Sequence, residues 1–105
     1  MFRVVLLCAG GASTGILAKK MEAEAKVVGL QDCTVTAHGI AQAAVVSKDA
    51  DVIMLGPQVG YQINDVKAAV GDLGVCVIDR EDYGRLNTRK ILAQAVKCYK
   101  ENKKK

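Results

Sequence analysis

The stretch VVLLCAGGASTG, residues 4–15, decides the fold of this 105-residue chain. A short apolar run ends in Cys8, passes through small and hydroxyl-bearing residues, and gives way to a helical pattern from Ile16. A strand that opens through small residues into a helix brings backbone N–H groups and the positive end of the helix dipole to one point, where an anion or a thiolate is stabilised. The stretch therefore predicts a phosphate-binding loop with a nucleophile, Cys8, on its rim.

Strand-like and helix-like segments alternate along the rest of the chain. Four apolar runs predict strands, at residues 3–8, 33–37, 52–55 and 74–78. The other segments predict helices, at residues 15–28, 39–47, 57–70 and 87–99, with a loop or short helical turn at 79–84. This order favours parallel strands with right-handed crossovers and helices on both faces. We predict a single α/β domain over residues 1–105, with a four-stranded parallel sheet in the order 2-1-3-4 and a ligand site beyond the first strand.

Size and composition exclude several classes of protein. Half of the residues are hydrophobic, yet no run approaches the ~18 apolar residues that cross a bilayer, so we expect a globular, cytosolic protein. The apolar part of the N-terminus is shorter than that of a secretory signal. The net charge of +4 owes much to a lysine-rich tail at about residues 100–105. No aromatic residues are interleaved there to stack bases, so no nucleic-acid partner is expected.

The cysteines and the single histidine predict neither disulfides nor a metal site. The four cysteines are widely and irregularly spaced, which favours thiols, and Cys33 and Cys76 fall inside predicted strands as small buried apolar groups. His38 forms only a Cys-x4-His pair with Cys33, whereas a structural zinc site needs four ligands. We therefore interpret His38 as a turn residue before a helix and expect no metal and no cofactor.

The residues after Cys8 suit a phosphoryl group bound covalently to sulfur. A cysteine pKa near 8.5 falls at a helix N-terminus, and glycines allow successive N–H groups to point inward. Ser13 and Thr14 add hydroxyl donors at the rim. The predicted phosphate-binding residues are Ala9, Gly10, Gly11, Ala12, Ser13, Thr14 and Gly15.

Two other functions fit parts of the same stretch. The spacing is similar to the Cys-x5-Arg loop of low-molecular-weight tyrosine phosphatases, which suggests a phosphatase or arsenate reductase, but Thr14 stands where the phosphate-clamping arginine would be. Asp79 and Asp82 are candidate acids for such an enzyme, although a turn role is favoured. A flavin-binding module is the other alternative, because residues 13–15 are similar to a flavodoxin phosphate loop. The chain is a strand short of that fold, and it is basic and poor in aromatic residues.

Three segments resemble the cytoplasmic B component of the bacterial sugar phosphotransferase system, in its lactose/cellobiose branch. They are LCAGGAST at residues 7–14, ADVIMLGPQV at 50–59, and VID at 77–79 with Tyr83-Gly84. The resemblance implies a phosphatase-like fold and a place for the phosphate loop at residues 9–15. It also implies that an A component carrying phosphohistidine phosphorylates Cys8.

The resemblance further implies that the phosphocysteine passes its group to a sugar bound by the membrane-embedded, sugar-transporting C component. A disaccharide such as cellobiose, lactose or chitobiose is the expected acceptor. Gln58 and Tyr83 are the candidate partner contacts, and the surface around Cys8 should be flat and apolar. We expect a monomer that associates transiently with the transporter.

Overall fold

A four-stranded parallel sheet organises the chain. The structure, a computed structural model, describes residues 2–9, 12–30, 32–71 and 73–103. For residues 12–14 and 103 it describes the backbone only. The strands are β1 (Phe2–Cys8), β2 (Cys33–Gly39), β3 (Val52–Leu55) and β4 (Gly74–Val77). The helices are α1 (Ala12–Val27), α2 (Ala43–Val46), α3 (Ile63–Val70), α4 (Arg80–Gly84) and α5 (Thr88–Lys103). The strand order is β2-β1-β3-β4, which confirms the predicted topology.

Alternate residues of the central strands face two separate apolar layers. Val4 and Leu6 of β1 pack with buried residues of α1 and α5, in what we call the α1/α5 layer. Val5 and Leu7 pack with residues of α2 and α3, in the α2/α3 layer. Because successive side chains of a strand point to opposite faces, β1 contributes to both layers. Burial of each such side chain stabilises the fold by about 1.5–3 kcal/mol relative to exposure.

Helix α1 confirms its predicted apolar stripe but not its predicted bounds. Leu17, Met21 and Ala25 are fully buried, as their spacing of four residues predicts. The helix begins at Ala12, three residues before the expected start, because the small residues there do not interrupt helical geometry. It also ends at Val27, and Val28, which was expected to face inward, is 47 % exposed.

The predicted helix at 39–47 is interrupted. The chain forms a 3₁₀ turn at Ile40–Gln42, the single turn α2, and a second 3₁₀ turn at Ser47–Asp49. The Ser47 hydroxyl donates to the carbonyl of Ala44 at 3.1 Å, a local bond that competes with helix continuation. The segment Pro57–Gln62 is likewise 3₁₀ before α3 begins at Ile63.

Strand β2 extends two residues beyond the predicted end and includes His38. The turn role predicted for His38 is wrong, since this residue pairs in register with Leu7. The reason is that β1 is paired along its whole length, up to Cys8 opposite Gly39. The side chain of His38 lines a groove with Thr34 and Thr36.

Strand β2 forms one edge of the sheet, as its two threonines predicted. On the outer side of this strand, the backbone N–H of Val35 donates to Glu22 Oε1 of α1 at 3.0 Å. Helix α1 therefore contacts the edge strand through a side-chain hydrogen bond as well as through apolar packing.

Helix α5 extends into the lysine-rich segment. Residues 100–103 are helical, so the part of the predicted tail that the structure describes is not frayed. Lys97 and Glu101 lie 3.9 Å apart, one helical turn from each other, and lysine and glutamate are good helix formers. Within the described ranges, no helix is both long enough and apolar enough to cross a membrane.

Candidate functional site

Cys8 is the last residue of β1 and lies at the carboxyl edge of the sheet. Gly39 is its partner in β2, and on the other side the N–H of Gly56 donates to the carbonyl of Leu7 at 2.8 Å. The order of strands thus makes β1 an inner strand at the point where connections leave for opposite faces. Ligands of open α/β sheets bind at such a point.

The two residues beside Cys8 across the sheet, Gly39 and Gly56, have no side chains. A Cβ on Gly56 would lie 3.7 Å from the Cβ of Cys8 and 3.6 Å from the carbonyl oxygen of Leu7. A Cβ on Gly39 would lie 3.9 Å from the carbonyl oxygen of Ala9. Two glycines therefore leave room on both sides of the cysteine. The sequence placed Gly56 at this edge but gave no role to Gly39, whose position depends on the β1–β2 register.

The environment of Cys8 differs from that of a core residue. Its residue exposure is 3 %, yet it belongs to neither of the apolar layers formed by the described residues. Strands β2 and β3 flank it within the sheet.

Helix α1 begins four residues after Cys8 and includes part of the predicted phosphate-binding segment. Ala9 is an exposed bend, whereas Gly10 and Gly11 lie outside the described residues. Ala12, Ser13 and Thr14 form the first turn of α1, so the expectation that they belong to a loop is wrong for these three, whereas Gly15 lies in the helix as its predicted start at residue 15 requires. The first N–H groups of a helix have no intrahelical acceptor and carry the positive end of its dipole, so the backbone of 12–14 is suited to an anion.

The two predicted partner contacts have different environments. Gln58 is exposed, and its Oε1 lies 2.9 Å from the position that a Cβ of Gly56 would occupy, which places it beside the Cys8 site. Tyr83 of α4 is half-buried and packs against the α1/α5 layer. The geometry therefore brings Gln58 towards Cys8, while a partner contact at Tyr83 stays a prediction.

Asp79, a candidate acid, is used as a helix cap. Its Oδ1 accepts hydrogen bonds from the N–H groups of Glu81 at 2.9 Å and Asp82 at 3.1 Å, at the start of α4. This arrangement satisfies two of the orphan donors of the helix. Asp79 therefore has the turn role that was favoured for it, whereas Asp82 lies within α4 and contributes its backbone N–H to the cap.

The other three cysteines do not end a strand: Cys33 begins β2, Cys76 precedes the last residue of β4, and Cys98 lies in α5. Cys33 begins β2 at the opposite end of the sheet, where burial and then the charge of Glu22 raise the pKa of its thiol. Cys76 of β4 and Cys98 of α5 are half-buried, and a hydrogen bond between their thiols, followed by burial, raises the pKa of Cys76. All four cysteines are reduced. In the described parts of the chain, no three histidine, cysteine or carboxylate side chains gather as metal ligands.

Solved structures with the same fold come from sugar phosphotransferase proteins. The lactose-specific IIB component domain from Streptococcus pneumoniae superposes with a TM-score of 0.77 at 21 % identity, over 93 % of this chain and 97 % of that one. The cellobiose-specific phosphotransferase IIB component from Borrelia burgdorferi gives a TM-score of 0.78 at 24 % identity, over 96 % and 94 %. These similarities confirm the predicted phosphatase-like fold.

Sequence similarity extends over nearly the same length. The chain is 35 % identical to the galactose-specific EIIB component of the phosphotransferase system (PTS) from Lactococcus lactis subsp. cremoris, over 88 % of this chain and 91 % of the relative. It is also 35 % identical, with the same coverage, to the cellobiose-specific EIIB component from Lactococcus lactis subsp. lactis. Residues 3–94 match the family model described as "PTS system, Lactose/Cellobiose specific IIB subunit". With the fold and the sequence in agreement, the chain belongs to the lactose/cellobiose-specific IIB family of the sugar phosphotransferase system.

Proposed function

We propose that Cys8 carries the phosphoryl group in this protein, between the phosphohistidine of an A component and a sugar bound by the membrane C component. Members of the family are phosphotransferase components of sugar uptake that work with EIIA and EIIC proteins. The proposal concerns which atom of this chain takes part. It also concerns the chemistry that this atom performs.

The position of Cys8 is the single observation that carries the proposal. Of the four cysteines, it alone ends a strand at the carboxyl edge of the sheet. The N-terminus of a sixteen-residue helix follows it within a few residues. A thiolate or phosphate there is stabilised by backbone N–H groups and the helix dipole, which the other three thiols lack.

The transfer consists of two displacements at phosphorus. In the first, the Cys8 sulfur attacks the phosphoryl group, an S–P bond forms, the P–N bond of phosphohistidine breaks, and the imidazole nitrogen recovers its electron pair and takes the thiol proton. In the second, a sugar hydroxyl oxygen attacks, an O–P bond forms, the S–P bond breaks, and sulfur keeps the electron pair and takes up the hydroxyl proton, which restores the Cys8 thiol. In each step the attacking and leaving atoms lie in line, and the N–H groups of 12–14 hold the equatorial oxygens.

The residues around Cys8 favour transfer over hydrolysis. Gly39 and Gly56 place no side chain next to Cys8, so the room that a phosphoryl group needs is not taken by a Cβ of either residue. Thr14 occupies the position where a phosphatase loop would carry its arginine, and the carboxylate of Asp79 is engaged as a cap rather than aimed at a leaving group. A phosphocysteine in such a site should persist long enough to meet a second protein.

The partners would dock at the carboxyl edge. Ile16 in α1 and Tyr61 after β3 are 64 % and 81 % exposed, and both belong to segments that leave the sheet at this edge. Exposed apolar side chains around a buried sulfur suit a small surface that binds two partners in turn. We propose that Gln58 borders this surface, that Tyr83 contacts a partner, and that the protein acts as a cytoplasmic monomer which binds the transporter transiently.

The sugar is proposed only as a class, a disaccharide such as cellobiose, lactose or chitobiose. The relatives are named for galactose, cellobiose and oligo-β-mannoside, and the first two are equally similar to this chain. The similarity of this component to its relatives therefore does not distinguish which sugar is transported. Specificity for the sugar is expected to reside in the C component, which binds the sugar itself.

Intact-mass analysis tests the proposal. The protein is incubated with a phosphorylated A component, and we expect the mass to increase by one phosphoryl group, located at residue 8. Cys8→Ser should abolish the increase, whereas Cys33→Ser, the matched control at the opposite end of the sheet, should retain it. Phosphorylation of the folded Cys8→Ser protein would overturn the assignment. Turnover of a small phosphate ester or of arsenate would favour the enzyme alternative, and visible absorbance on adding flavin mononucleotide would favour the flavin alternative.

A further inference from the structure

A pair of thiols connects the edge strand β4 to helix α5, on the far side of β3 from Cys8. The side chains of Cys76 and Cys98 form a hydrogen bond with each other, and both pack against the α1/α5 layer. Each residue is half-buried, so neither is sealed inside the core. Two hydrogen-bonded thiols at a partly exposed position are the starting geometry for a disulfide.

Gly74 explains why the two sulfurs meet. It lies two residues before Cys76 and therefore faces the same side of β4. A Cβ at Gly74 would lie 3.3 Å from Cys98 Sγ and 3.2 Å from the Cys98 carbonyl oxygen. Because glycine has no side chain, the backbone of α5 approaches β4 closely and its cysteine reaches the strand.

A groove gives solvent access to this pair. It has a volume of about 610 Å³ and is lined in part by Cys98, Gly74, Lys67 and Asn102. The lining is largely polar and includes charge of both signs, from Lys67 and Glu101. A small, charged molecule can therefore reach the sulfur of Cys98 from this groove.

We propose that Cys76 and Cys98 form a reversible intramolecular disulfide by exchange with a low-molecular-weight disulfide. In the first step a thiolate at Cys98 attacks one sulfur of the small disulfide, forms a mixed disulfide and releases one small thiol. In the second step the sulfur of Cys76 attacks Cys98 Sγ and releases the second small thiol. The protein thiols lose two electrons and two protons in total, and the small disulfide gains both.

The hydrogen bond between the thiols supports this order of steps. The bond and the burial of Cys76 raise the pKa of Cys76, so its thiol gives up a proton less readily than an ordinary cysteine. Cys98, which lines the groove, is therefore the sulfur that reacts first, and Cys76 resolves the mixed disulfide.

The cysteines of β1 and β2 are too far from Cys76 to compete with Cys98. Neighbouring strands are about 4.8 Å apart, so β1 and β4 are separated by roughly 10 Å and β2 and β4 by roughly 14 Å. A disulfide requires Cα atoms within about 7 Å of each other. Neither Cys8 nor Cys33 can therefore bond to Cys76 without a change of fold.

The test uses the full chain and oxidised glutathione as the probe. We expect the intact mass to fall by two hydrogen atoms, peptide mapping to link residues 76 and 98, and a reductant to reverse the change. The disulfide should raise the midpoint of thermal unfolding by roughly 10 °C, since it closes a loop of about twenty residues. Absence of the mass loss, or a link between any other two cysteines, would overturn the proposal.

Three variants test the order of the steps. Cys76→Ser should accumulate a mixed disulfide with glutathione on Cys98, because the resolving thiol is missing. Cys98→Ser should form neither species, and Cys33→Ser, the control, should form the disulfide like the unmodified protein. A mixed disulfide on Cys76 in the Cys98→Ser protein would show that the order is wrong. If a serine variant does not fold, the mapped link in the unmodified protein decides whether the disulfide forms.

Discussion

Replacement of Gly56 by alanine should separate chemistry at Cys8 from stability of the fold. The φ of −60° and ψ of 148° at Gly56 are accessible to any residue. Alanine therefore restricts the unfolded chain and stabilises the protein by about 0.4–1 kcal/mol. Against this, the new methyl group would lie 2.9 Å from Gln58 Oε1, and moving that side chain off its rotamer costs about 0.5–1.5 kcal/mol. The two effects nearly cancel, so the free energy of unfolding should change by less than about 1 kcal/mol.

The same methyl group should impair phosphoryl transfer. It would lie 3.7 Å from the Cβ of Cys8, on a flank where the proposed phosphoryl group needs space. A displacement of about 1 Å in a reacting group can slow a reaction on the order of a hundredfold. We expect the rate of phosphoryl acceptance to fall by roughly ten- to a hundredfold, which corresponds to about 1.4–2.7 kcal/mol in the barrier.

Two measurements decide this prediction. Time-resolved intact-mass analysis with a phosphorylated A component gives the rate of acceptance, and thermal unfolding followed by circular dichroism gives the stability. Gly84→Ala is the matched control, because a Cβ at Gly84 meets no atom within 4 Å. If Gly56→Ala has the stability of the unmodified protein and also its rate of acceptance, Gly56 does not border the reacting group and the reasoning is refuted.

Three further substitutions test the fold. Asp79→Ala removes the cap of α4 and should lower the free energy of unfolding by about 1 kcal/mol, whereas Asp79→Asn should lower it less. Urea titrations measure both losses, and equal losses would contradict the capping role. Met54→Ala leaves a cavity at a fully buried position and should lower the free energy of unfolding by about 2–5 kcal/mol. A much smaller loss in the same titrations would mean that the α1/α5 layer closes around the cavity. Burial raises the pKa of Cys33, so above about pH 8.5 the unfolded chain loses this proton before the folded one and stability should fall as pH rises. Cys33→Ala should make that fall shallower, and an identical slope would contradict the assignment.

Local patterns predicted the topology and the position of Cys8. The apolar runs alternate with helical stripes, so the parallel order 2-1-3-4 followed from connection rules alone, and the residues after Cys8 marked the carboxyl edge. What depends on contacts distant in sequence was not predictable. His38 belongs to β2 because β1 is long enough to pair with it, and the contact of Cys76 with Cys98 exists because α5 packs against Gly74.

Boundaries were the weakest part of the sequence-based prediction, for a physical reason. The residues at 12–15 are small and compatible with either a loop or a helix, and the structure places all four in α1. The segment 39–47 has high intrinsic helix propensity at its alanines, but β2 uses Gly39 and local hydrogen bonding at Ser47 ends the helix early. In neither case did intrinsic helix propensity decide the bounds of the helix.

The hydrogen bond from Val35 to Glu22 bears on how this protein behaves at high concentration. An exposed edge strand offers unpaired amides to any extended chain, and self-association by strand addition begins there. Here one of those amides already donates to a carboxylate held by the neighbouring helix, and an incoming strand would have to displace it and meet its negative charge. Glu22→Ala should therefore leave the protein folded but make it more prone to aggregate on storage.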